Sequence, residues 1–90
     1  MNIDDFLVGQ RFETVDLNVL IDSDTISDSR RNRLIGLKNQ WVPGDDVFYY
    51  CSEKELWDAL MGSEGYILVR ERQVIDNVVL KMIRTLQTHL

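Results

Sequence analysis

Apolar and polar positions alternate in two distinct periods along the second half of this chain. Val47-Phe48-Tyr49-Tyr50-Cys51 is a dense aromatic and β-branched run behind the turn-forming cluster Pro43-Gly44-Asp45-Asp46, which predicts a strand. From Glu53 to Met61 the period changes: Leu56, Trp57 and Leu60 fall at i, i+1 and i+4 and give one broad apolar face, so a helix is predicted. Ser52 and Glu55 have the Ser-x-x-Glu spacing of a capping box, and Gly62 offers a left-handed residue to end the helix. Tyr66 to Arg70 and Val74 to Met82 are two further β-rich runs, too close together for anything but a hairpin. Glu71-Arg72 lacks the glycine or asparagine that a two-residue turn with positive φ prefers, so a longer loop or a bulge is expected there.

The first half carries weaker signals. Ile3, Phe6 and Leu7 are spaced for a short helix closed by Gly9. Val15, Leu17, Val19 and Ile21 alternate with polar residues as a half-buried strand would, yet Phe12, Val15 and Val19 also fit a helix, so residues 14–21 stay open between the two. Between Asp28 and Trp41, Leu34, Leu37 and Trp41 lie at i, i+3 and i+7 with Ser27 or Asp28 as N-cap, and Pro43 ends the helix. Ile83, Leu86 and Leu90 repeat that spacing, as a last helical turn or a frayed tail. The expected fold is α+β: a small, mostly antiparallel sheet of three to four strands, packed in two layers against two to three helices, with a strand-helix-strand-strand C-terminal half.

Length bounds this picture to one globular domain over residues 1–90, with a core too small to spare room for a deep substrate cavity. Cys51 is the only cysteine, so an intramolecular disulfide is ruled out, which suits a reducing compartment. The opening Met-Asn-Ile-Asp-Asp-Phe lacks the positive flank and apolar stretch of a secretory signal, and no apolar run approaches the roughly 20 residues of a membrane span, so a cytoplasmic location is expected.

The net charge of -5 is unevenly distributed. Residues 1–28 carry Asp4, Asp5, Glu13, Asp16, Asp22, Asp24 and Asp28 against Arg11 alone, whereas Arg30, Arg31, Arg33 and Lys38 follow with no acid among them. The acidic field disfavours nonspecific nucleic-acid binding. Arg30, Arg31 and Arg33 form a candidate patch for phosphate, nucleic acid or an acidic partner, although four cations without interleaved aromatics fit a solvated helix face better.

Candidate chemistry is sparse. Asp22-Ser23-Asp24-Thr25 directly follows Asn18-Val19-Leu20-Ile21. This resembles the first motif of the haloacid-dehalogenase phosphotransferases, a hydrophobic strand followed by Asp-x-Asp-x-Thr, over about ten residues. The resemblance implies a magnesium-dependent phosphotransferase or hydrolase in which Asp22 attacks phosphorus and Asp24 shuttles the proton. That family's doubly wound parallel sheet needs about 30 residues for each crossover, more than this chain supplies. The structural alternative is a turn whose acids favour the N-terminus of the following helix. As a calcium loop the same stretch fails, because Ser27 and Arg33 stand where glycine and a bidentate glutamate belong. Cys51, Ser52 and the single histidine, His89, do not assemble into a nucleophile pair by position, and one cysteine with one histidine gives no ordinary zinc set. No cofactor and no metal are expected.

Aromatics are the remaining surplus. Neighbouring residues on a strand point to opposite faces, so Phe48 and Tyr50 share one face and Tyr49 takes the other. Together with Trp41, Phe48 and Tyr50 form a candidate contact surface, since tryptophan and tyrosine are enriched at binding hot spots. The consecutive Val78-Val79-Leu80 adds apolar groups on both strand faces, which points to apolar surface left for a second copy or a partner. The function expected is a non-catalytic protein-binding or regulatory module, of the small inhibitor or immunity type, acting on itself or on a basic protein surface.

Overall fold

A computed structural model describes residues 1–82. The candidates Ile83, Leu86, His89 and Leu90 lie outside them. Four helices, α1 (Ile3–Phe6), α2 (Leu17–Ile21), α3 (Asp28–Gln40) and α4 (Lys54–Asp58), accompany four strands, β1 (Gln10–Thr14), β2 (Asp46–Ser52), β3 (Ser63–Arg70) and β4 (Gln73–Met82). The sheet order is β1-β2-β3-β4 and every pairing is antiparallel. The fold is α+β, and its C-terminal half reads strand, helix, strand, strand as expected.

Strand alternation divides the core in two. Val47, Tyr66, Leu68 and Val78 face α2 and α3, where Leu17, Leu34 and Leu37 complete a buried cluster. Tyr50, Ile67 and Val69 face the other way and are covered by α1 through Ile3, Phe6 and Leu7. Leu34, Leu37, Ile67 and Leu68 are fully buried, and each such side chain contributes roughly 1.5–3 kcal/mol of transfer free energy. The apolar surplus expected on the second sheet face is therefore largely consumed by the N-terminal segment. Val78 and Leu80, two apart on β4, both pack into the α2/α3 cluster, and β4 carries one extra residue at each of two register shifts, Ile75 and Leu80.

The open question at residues 14–21 resolves as a helix preceded by a strand. Asp16 caps α2 by accepting the Asn18 N–H at 2.9 Å, and Leu17, Leu20 and Ile21 at i, i+3 and i+4 turn into the core, while Val19 is 67% exposed. Ser27 caps α3 by accepting the Arg30 N–H at 3.1 Å. Trp41 leaves the helix in extended backbone and is 43% exposed, so it is not the third member of the buried stripe.

Two local expectations are corrected. Ser52 is not a helix cap: it is the last residue of β2, 3% exposed, and α4 begins after Glu53 with no side-chain cap. Its Oγ lies 3.0 Å from Gln10 Oε1 and 3.1 Å from the Ser63 carbonyl, and accepts the Ser63 N–H at 2.9 Å, tying together β1, β2 and β3. Nor is Gly62 the left-handed residue that ends α4. That residue is Leu60, at φ 61°, with Leu60 N–H donating to Trp57 O and Met61 N–H to Leu56 O in a Schellman pattern. Gly62 is required for another reason, since a Cβ there would lie 2.2 Å from the Trp57 ring. Between β3 and β4 no longer loop forms: Glu71 and Arg72, at φ 50° and 65°, make the two-residue turn themselves, and the bulge falls nearby at Ile75. Ile3 N–H donates to Arg72 O, and Asp4 pairs with the Arg72 guanidinium, which holds this turn from outside.

Candidate functional site

The structure disperses most of the residues that the sequence marks out. Asp22 is the C-cap of α2, exposed, and Asp24 stands in the turn beyond it, so the strand on which a nucleophilic Asp-x-Asp pair would have to be mounted is absent. Among the described residues no group of three or more histidine, cysteine, aspartate or glutamate side chains comes close enough to hold a metal ion.

Arg31 separates from its basic neighbours. Its Nε donates to Ile21 O at 2.9 Å, its Nη2 to Ser23 O at 2.7 Å, and its Nη1 pairs with Asp28 at 2.9 Å, so it fastens α2 to α3 by satisfying the free carbonyls at the end of α2. Arg30 and Arg33 stay exposed on α3. Tyr50 leaves the surface altogether: it is 1% exposed, its hydroxyl donates to Asn77 Oδ1 at 2.9 Å, and its ring meets Phe6 edge-on at 4.9 Å. Burial pushes its phenol pKa up. Phe48 is half-buried, and Trp41, exposed, donates from Nε1 to Asp45 O at 3.0 Å.

Two open hollows lie on the α2/α3 side. One, of about 440 Å³, is bordered by Asp16, Lys38, Trp41 and Asp46 at the C-terminal end of α3. The other, of about 400 Å³, runs along β1 and β2 and is bordered by Arg11, Phe12, Glu13, Tyr49, Cys51 and Ser52. In it Tyr49 donates its hydroxyl hydrogen to Glu64, and burial followed by that hydrogen bond raises the phenol pKa above its ordinary value. Cys51 is a half-buried free thiol between Arg11 and Glu64 in the strand register. The set offers acceptors and donors already engaged with one another more than it offers an activated nucleophile.

β1 borders this hollow, and sequence reasoning missed it. It pairs only with β2 among the described residues, so it forms an edge of the sheet. Val15 N–H donates to Val47 O and Gly9 O accepts from Glu53 N–H, which fixes the phase of the ladder: odd-numbered residues of β1 turn their N–H and C=O toward β2, and Gln10, Phe12 and Thr14 turn theirs outward. Gln10 N–H is taken up by Leu7 O. The outward N–H and C=O of Phe12 and Thr14 have no protein partner among the described residues. Phe12 is 53% exposed and stands on the α1 side of the sheet, edge-on to Phe48 at 5.9 Å, while Arg11 and Glu13 stand on the α2/α3 side. The signal that could have found it is an exposed phenylalanine flanked by charges of opposite sign, but one apolar residue in five gives no period to read.

Comparison of the chain with protein-family models, with curated proteins and with solved structures found no match. Function therefore rests on the geometry alone.

Proposed function

We propose that this protein is a non-catalytic protein-binding module that takes another chain along the outer edge of β1. The observation carrying this reading is Phe12, 53% exposed in the middle of an edge strand whose outward backbone groups have no protein partner among the described residues. A free strand edge is a template for an added strand, in which main-chain hydrogen bonds supply affinity and alternate side chains supply specificity. Phe12 would be the anchor, because it presents a large apolar face already steadied by Phe48. Arg11 and Glu13 would read the charge of the added strand from the other face.

A photoreactive phenylalanine analogue placed at position 12 in cells tests this. It should form a discrete adduct with a protein, and the same analogue at exposed Asp58 on α4 should not. No adduct at position 12, together with a magnesium-dependent phosphatase activity abolished by Asp22→Asn with Asp24→Asn, would replace this reading with the phosphotransferase one.

A further inference from the structure

We propose that the chain added to β1 is a second copy of this protein, paired β1 to β1 in antiparallel sense about a two-fold axis at Phe12. The inference rests on the binding role proposed for that edge and names its partner. Because only Gln10, Phe12 and Thr14 turn their backbone groups outward, a symmetric antiparallel pairing must set even-numbered residues against even-numbered ones. Three such registers pair more than one residue of each β1. One sets Gln10 against Phe12 and places Arg11 opposite the partner's Arg11. A second sets Phe12 against Thr14 and places Glu13 opposite the partner's Glu13. In the third, Phe12 faces the partner's Phe12, and Arg11 faces the partner's Glu13 twice over by symmetry. Only this last register is complementary in charge.

Its geometry favours each contact it makes. Phe12 with the partner's Phe12 is a hydrogen-bonded pair exchanging two N–H···O bonds, and Thr14 N–H reaches the partner's Gln10 carbonyl on either side. Arg11 and the partner's Glu13 form a non-hydrogen-bonded pair, the kind in which side chains approach most closely, at about 4.5 Å between Cα atoms. On the opposite face the two Phe12 rings meet, each already packed on its own Phe48, giving a row of four aromatics across the joined sheet. β4, the other edge among the described residues, is less suited: its start is taken by Met1 and Asn2, and its two bulges twist it away from regular pairing. An interface built on five residues is small, so the dimer belongs to the weak, concentration-dependent class.

Sedimentation equilibrium across the micromolar range tests this with three samples. Wild type should show a reversible monomer-dimer equilibrium. Arg11→Glu alone or Glu13→Arg alone turns both cross-strand pairs of the Phe12-centred register into like charges and leaves the other two registers with like charges at their axis, and should weaken dimerisation about tenfold or more. An equimolar mixture of these two variants restores opposite charges at every pair and should dimerise as wild type does, with circular dichroism showing each variant folded. The double variant Arg11→Glu with Glu13→Arg should dimerise too, and serves if either single variant fails to fold. A wild type that stays monomeric, variants that dimerise undiminished, or a mixture that stays monomeric would overturn the proposal. A monomeric wild type that still gives a foreign adduct at position 12 would leave β1 as a binding edge and remove only the second copy.

Discussion

Arg70 holds Asp45 by two parallel bonds, Nε to Oδ1 and Nη2 to Oδ2, each 2.9 Å long. The Asp45 side chain is 1% exposed, and its carboxylate also accepts the Val42 N–H at 3.0 Å. Arg70 Nη2 reaches the Gln40 carbonyl as well, so one ion pair joins the end of β3 to the end of α3 and to the turn before β2. Such bidentate pairs are the strong ones, and breaking one that is buried leaves an uncompensated charge.

An acid-sensitive stability follows from this pair. The hydrogen bond from Arg70 outweighs the opposing effect of burial and holds the Asp45 carboxyl below its ordinary value of 3.8. A carboxylate with a lowered folded pKa contributes stability that is fully present above the unfolded value and is lost as pH falls through the folded one. Urea unfolding at stepped pH should show wild type losing stability as pH drops below 3.8. Asp45→Asn should be less stable at neutral pH and should show a flatter profile below that point. Identical profiles for the two would remove the ion pair from the account.

Leu60 holds the conformation that a glycine would adopt freely. A left-handed β-carbon residue costs roughly 1 kcal/mol, and Leu60 is 51% exposed, so little packing is lost with its side chain. Leu60→Gly should raise stability by about 0.5–1 kcal/mol, read as a higher urea midpoint with an unchanged slope. A lower midpoint would mean that the Leu60 side chain contributes packing that its exposure conceals.

Ser52→Ala should cost about 1–3 kcal/mol, because it removes the partner of the part-buried Ser63 N–H as well as losing a hydroxyl that is itself buried. The loss should extend to amide protection across β1 and β3, which Ser52 joins. An effect confined to α4 would return Ser52 to the role of a helix cap.

The sequence was most legible where local period and tertiary packing agree. α3 with its Ser27 cap, the short N-terminal helix, which ends at the C-cap Leu7 rather than at Gly9, and the strand runs around Phe48, Ile67 and Val78 all carry their own signals. It was least legible where a distant residue decides. Gln10–Thr14 becomes a strand by pairing with β2, some 40 residues on, and nothing in Gln-Arg-Phe-Glu-Thr announces it. The alternation of Val15, Leu17, Val19 and Ile21 suggested a strand, but Asp16 nucleates a helix there and leaves Val19 in water. The Ser-x-x-Glu signal at Ser52 failed because Gln10 and Ser63 claim its hydroxyl. Asp45 read as one more turn residue, since its partner Arg70 is 25 residues away. Of the surface candidates, Phe48, Trp41, Arg30 and Arg33 remain accessible, and Tyr50 and Arg31 are spent on the fold.

The claim that a second copy adds to the outer edge of β1 is tested most directly by residue-resolved amide hydrogen exchange of wild type over a concentration series. Arg11 and Glu13 turn their amides toward β2, and should exchange slowly at every concentration. Phe12 and Thr14 turn theirs outward, and should exchange quickly at high dilution and slow as protein concentration rises, in step with dimer formation. Phe12 and Thr14 amides that exchange at the same fast rate across the whole series would contradict it.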